Sequence, residues 1–289
     1  MVNKKYLALK VLINRFHPKE SDLFLKPLPD IEKQEVLKIT SSQKDPEKLY
    51  TNLEEFVKSI HYTWLLPHME KYSLQNKTLA LASLPINQAQ GLKTLLNKET
   101  IVPLKLSSLG KKLLVQKYFP NLLPHEIMPE AFLETSAFQP LLNLDKNSLL
   151  QLIDYLGIYD LAEKIRNVVD KKKLAVIYRA LSLDEQKFLR YALRNDKTSL
   201  SDLDLTHLTE NSSKLKTILH RKGLVRLAKG ISYESSDFIW HLFHKLDTGR
   251  AAFIEKNLLP KPNELIKEKL KRQILHVLNL VSLQEVNEK

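Results

Sequence analysis

Two stretches of this chain share one pattern. Residues 60–85 read IHYTWLLPHMEKYSLQNKTLALASLP and residues 236–260 read SDFIWHLFHKLDTGRAAFIEKNLLP. In each, a histidine follows the tryptophan by four residues (Trp64 and His68, Trp240 and His244), and a second apolar-periodic run ends in Leu-Pro. Apolar residues at helical spacing, a polar break and a second such run describe two helices joined by a turn. Neither helix alone can bury its apolar stripe, so such units must stack. The fold class expected is all-α, an array of helical hairpins.

The remaining sequence agrees. Only 6 glycines occur in 289 residues, and Leu, Lys, Glu and Ala, all good helix formers, dominate. The runs NSLLQLIDYLGIYDLAEKIRNVV and LAVIYRALSLDEQKFLRYALRN read as further hairpins, the first bending at Gly157 and the second at a cap on Ser182. Ser182–Glu185 and Thr51–Glu54 have capping-box spacing, and Asp45-Pro46-Glu47 offers another helix start. Leu109–Tyr118 reads as a short helix. A last amphipathic helix over Asn263–Val281 carries Ile266, Leu270, Ile274, Val277, Leu278 and Val281 on one face. The best strand candidates are Leu224–Leu227 and Gly230–Tyr233. Prolines at 103, 120, 124, 129 and 140 forbid a long helix between 101 and 147. The expected organisation is therefore an N-terminal helical domain (1–100), a proline-rich packed connector (101–147) and a C-terminal helical domain (148–289).

The absence of cysteine excludes a disulfide framework, a cysteine zinc site and a thiol nucleophile. No stretch approaches the roughly 18 apolar residues of a membrane span, and the basic, interrupted N-terminal run reads as a helix rather than a signal peptide. The net charge of +12 is spread thinly, with 19 basic against 14 acidic residues before position 145 and 26 against 19 from there on. That pattern fits attraction to acidic partners without a nucleic-acid tail.

No phosphate-binding glycine loop, dinucleotide fingerprint or nucleophile elbow is present, so no cofactor is expected. His241 and His244, with Asp247 one turn on, could face one metal; the plainer reading is that they border the Trp240 face and hydrogen-bond locally. The two tryptophans read as core anchors, one in each half, or else as interface hot spots. Lys214, Lys216, Arg221, Lys222, Arg226 and Lys229 fall in a stretch without an acid. A helix ending at Gly223 and followed by an apolar ribbon would make a winged-helix-like insert near 200–235, with nucleic acid as its partner. Protein contact is the competing use of those residues, together with His241, His244 and Arg250.

The units at 61–85 and 148–169 resemble the armadillo-like helical hairpins of the flagellar motor switch protein FliG. The stretch LHRKGLVRLAKGISYESSDFIWHLFHKLDTGRAAFIE is similar to the SctK-like sorting-platform adaptors of chlamydial type III secretion. That resemblance implies a non-enzymatic cytoplasmic scaffold at the inner-membrane face of the secretion apparatus. Its implied partners are the cytoplasmic domain of the inner-membrane ring, the C-ring-like protein and the ATPase stator, with no small-molecule substrate. The chain lacks FliG's Met-Phe-X-Phe hinge and Gly-Gly linker, which argues against a rotor.

Overall fold

A computed structural model of the chain describes residues 4–39, 52–96, 104–124, 127–166, 170–195, 212–259 and 264–287. Among them every regular element is helical, as the composition requires. In chain order these are α1 (Lys4–Phe16), α2 (Ser21–Leu25), α3 (Asp30–Lys38), α4 (Leu53–Ser59), α5 (Leu66–Glu70), α6 (Leu74–Ser83), α7 (Ile86–Leu95) and α8 (Ser108–Tyr118). There follow α9 (Lys146–Ile165), α10 (Lys171–Ala180), α11 (Leu183–Asn195), α12 (Ser212–Ile231), α13 (Ser236–Lys245), α14 (Thr248–Lys256) and α15 (Glu264–Asn287). Single 3-10 turns span Tyr62–Trp64, Glu130–Phe132 and Gln139–Leu142. Among the described residues no helix is long and apolar enough to cross a membrane.

Contacts divide the chain into two units: residues 1–136 with 235–248, and residues 137–234 with 249–289. The second tryptophan stretch is therefore split, α13 going to the first unit and α14 to the second, where the sequence reading kept all of 148–289 together.

In the first unit, side-chain caps set the helix starts. Asn52 accepts from the Glu54 amide at 3.0 Å and Ser107 from the Gly110 amide at 3.1 Å; the Thr51 cap and the Asp45-Pro46 start lie outside the described residues. Leu84 stops α6 because a residue before proline is driven out of the helical region, and Pro85 then opens α7. The main core joins Phe56, Val57, Leu81, Leu92, Val115 and Phe119. The proline-rich stretch packs, with Phe119, Leu122, Met128 and Phe132 all buried. Two small clusters, one around Leu7 and Val11 and one around Ile13, Leu25 and Val36, fix α1 to α3.

In the second unit α9 is the axis, buried on nearly all sides, and α11, α12 and α15 pack on it. Asp145 caps it through the Ser148 amide at 2.7 Å. The expected bend at Gly157 does not occur, nor does the helix end at Gly223 or the ribbon at 224–233: α9 and α12 are each one 20-residue helix. Both glycines serve a different purpose. A Cβ on Gly157 would strike the Leu219 carbonyl and one on Gly223 the Ile153 carbonyl, so the two backbones touch where side chains are missing. The part of the winged-helix-like insert at 200–211 lies outside the described residues. The two helices read on either side of Ser182 form as α10 and α11, with the Ser182–Glu185 capping box closed at 2.6 and 3.2 Å, but α10 packs on α12 and α11 on α9. On α15, Leu270, Ile274, Val277, Leu278 and Val281 are buried as their spacing predicts.

Gly157→Ala and Gly223→Ala should each destabilise the second unit by about 1–3 kcal/mol or more, because backbone cannot yield as a side chain does. Gly110→Ala, whose Cβ would meet the Ser107 hydroxyl at 3.3 Å and the Leu106 Cβ at 4.0 Å, should shift stability by no more than about 0.5 kcal/mol. Urea denaturation followed by circular dichroism distinguishes the two cases.

Candidate partner-binding surfaces

The basic run on α12 does not form one surface. Lys214, Lys216 and Arg221 are exposed, Lys222 and Lys229 are half-buried, and Arg226 is fully buried. Helical periodicity sends Arg226 inward, toward α9 and α15. Its Nη2 donates to Asp160 Oδ1 at 2.6 Å, its Nε to Asp160 Oδ2 at 3.3 Å and its Nη1 to Gln273 Oε1 at 2.5 Å. The guanidinium also lies 5.5 Å from the centre of the Tyr159 ring. Arg226 is thus a structural cation and not the partner-binding residue the sequence suggested. Its acid and its glutamine went unread because neither is near it in sequence.

Arg250, on α14, is half-buried. Its Nε donates to His220 Nε2 at 2.8 Å, which leaves the His220 proton on Nδ1, and Nδ1 donates to Asp154 Oδ1 at 2.6 Å. Asp154 lines a cleft of about 280 Å³ together with Asn147, Gln151, Tyr155, Asp184 and Glu185. Its acids are committed within the chain: Asp184 to Lys187 at 2.9 Å, Glu185 to the Ser182 amide and Asp154 to His220.

His241 and His244 are both buried. His241 Nε2 donates to the Met128 carbonyl at 2.7 Å, and Asp237, one turn earlier on α13, accepts from the Met128 amide at 3.3 Å. His244 Nδ1 donates to the Trp240 carbonyl at 2.8 Å. Among the described residues no group of three metal-ligating side chains forms; His244 bonds locally, as read, whereas the partner of His241 lies 113 residues away.

No protein-family model, curated protein or solved structure matches this chain. Its surfaces must therefore be read from their own chemistry.

The tryptophans, expected one in each half, both lie in the first unit and enclose His244 between them. The imidazole centre is 4.2 Å from Trp64 and 3.9 Å from Trp240, and Phe56 stacks on Trp240 at 5.1 Å. Trp64 Nε1 donates to the Leu246 carbonyl at 2.9 Å, and the His61 amide to the His244 carbonyl at 2.7 Å. Both indoles pack at the edge of the main core.

Six large apolar side chains of the first unit also point outward. Leu12, Phe16, Leu23, Phe24, Ile31 and Leu37, all on α1 to α3, are between 41% and 79% exposed. The His17 and Phe24 rings touch at 4.2 Å on that surface. A cluster of large exposed side chains on three adjacent short helices marks an interaction surface more often than chance exposure does.

Two outcomes follow from these contacts. Arg226→Met should cost about 3–5 kcal/mol by stranding the buried Asp160, and adding Asp160→Leu should recover most of it; denaturant midpoints of the single and double variants test this. Burial lowers the pKa of His241 and His244 below the ordinary 6.5. The folded first unit then binds fewer protons than the unfolded chain below that value, so its stability is full above pH 6.5 and falls as acid is added, until the folded histidines themselves protonate. Both tryptophans report on this unit, so fluorescence-monitored urea unfolding across that range measures the loss, and His241→Gln with His244→Gln should reduce it.

Proposed function

We propose that the chain is a non-enzymatic adaptor of a bacterial type III secretion sorting platform. In this role it joins the inner-membrane ring to the C-ring-like and ATPase-stator components on the cytoplasmic side. The observation that carries the adaptor reading is the exposed apolar surface of α1 to α3, where six large side chains stay outside while the inner faces of the same helices close two small cores. An element that spends leucine, isoleucine and phenylalanine on its outer face gains most when another protein covers it. The assignment to secretion rests on the similarity of residues 219–255 to the SctK-like adaptors.

The rival reading, a nucleic-acid module at 214–229, has lost its central cation to the Arg226–Asp160 pair. Three exposed cations on one helix make a weak phosphate footprint.

A photo-crosslinker placed at Phe16 or Ile31 in the native cell should yield adducts with the inner-membrane ring or C-ring-like protein. Adducts confined to proteins outside the secretion apparatus would remove the assignment. Duplex DNA bound with a steep salt slope, and released by charge reversal at Arg221 and Lys222, would replace it with the nucleic-acid reading.

A further inference from the structure

Helix α8 turns Val115 and Tyr118 into the main core of the first unit. Its opposite side carries Leu109 and Leu113, one turn apart, at 65% and 57% exposure. By helical periodicity Lys112 and Lys117 flank this pair on either side, and both are exposed. Leu104 and Lys105 continue the combination just before the helix, with Leu104 45% exposed. From 104 to 124 the sequence holds Lys105, Lys111, Lys112 and Lys117 and no acid. Among the described residues Glu54 on α4 comes near from elsewhere, and its carboxylate is taken by Lys58 at 2.7 Å. That pairing is the first cause of its lowered pKa, with the fields of Lys112 and Lys111 adding to it.

We propose that this face of α8 is a docking site for an acidic amphipathic helix of a partner protein. The leucine pair supplies the apolar seam, and the lysines on its two borders meet glutamates or aspartates flanking the partner's own apolar stripe. Spacing at i and i+4 suits a helix laid along α8, whose partner would present anchors at the same interval. Charge complementarity selects the acidic class: a neutral helix would gain the leucines alone, and a basic one would be repelled. Attachment to an anionic membrane would use the same lysines, but two leucines are a small apolar area for a lipid surface, where membrane-bound helices expose long apolar faces. This site is separate from the α1 to α3 surface and holds whether or not the chain works in a secretion platform.

Fluorescence anisotropy with the full chain tests it. The probe is a labelled helical peptide of roughly 18 residues, about five turns, with leucines on one face and glutamates beside them. Expected are binding that weakens with salt, and a loss of about tenfold or more in affinity for both L109Q/L113Q and K112E/K117E. Because these side chains are exposed, thermal unfolding of the variants should match the parent. Restored binding of K112E/K117E to the same peptide with lysine in place of glutamate would fix the charge register. Equal affinity for a peptide whose leucines are replaced by glutamine would overturn the proposal by reducing the contact to unspecific charge. So would unchanged binding by both variants, or binding to phosphatidylserine vesicles with none to the peptide.

Discussion

The second unit depends on a contact between two backbones. Gly157 and Gly223 lie where α9 crosses α12, and a Cβ on the first would strike the Leu219 carbonyl, one on the second the Ile153 carbonyl. On either side of that point an acid of α9 reaches a base of α12: Asp154 to His220 at 2.6 Å before it, Asp160 to Arg226 at 2.6 Å after it. Both acid–base pairs and the glycine pair are separated by the same 66 residues in sequence, so the two helices run in the same direction. Parallel neighbours cannot be joined by a tight turn. The chain needs α10 and α11 as a return path, and α11 covers α9 on the way.

The close approach explains why an arginine can be sealed in a core. With the backbones in contact, Arg226 and Asp160 reach bidentate geometry, and Gln273 of α15 occupies the remaining nitrogen. Removing two charges from water is costly, and strong mutual attraction offsets that cost only where hydrogen bonds satisfy the whole guanidinium edge. Such a pair adds little net stability but penalises any register of α9, α12 and α15 that leaves one charge alone. The array is thereby held to one arrangement, which apolar stripes of similar leucine spacing would not enforce by themselves.

Much of the fold could be read from the sequence, and the failures share a cause. Local signals worked: the Ser182–Glu185 box, the helix at Leu109–Tyr118, the Leu84-Pro85 stop and the buried stripe of α15 all depend on neighbours within a turn or two. Gly157 and Gly223 were misread as a bend and a helix end because a glycine carries the same local message whether it breaks a helix or lets another backbone approach. The apolar residues after Gly223 then resembled a ribbon, although they continue a helix. Arg226 looked like part of a basic surface because its partner lies 66 residues away. The candidate site was less legible than the fold, since what distinguishes Leu12, Ile31 or Leu109 from core leucines is exposure, and periodicity alone cannot report that.

The paired tryptophan stretches show how far sequence likeness constrains structure. Both contribute their indole to one place, on either face of His244, yet Trp64 stands on a 3-10 turn and Trp240 inside α13. The shared pattern therefore does not mark two copies of one hairpin: His68, which follows Trp64 in it, faces Phe119 instead. An imidazole between two indoles must remain largely dry, and its Nδ1 proton is used by the Trp240 carbonyl. With this polar chemistry turned inward, the recognition we propose falls to the leucines, isoleucine and phenylalanines left on the outer helices and to the lysines that border them.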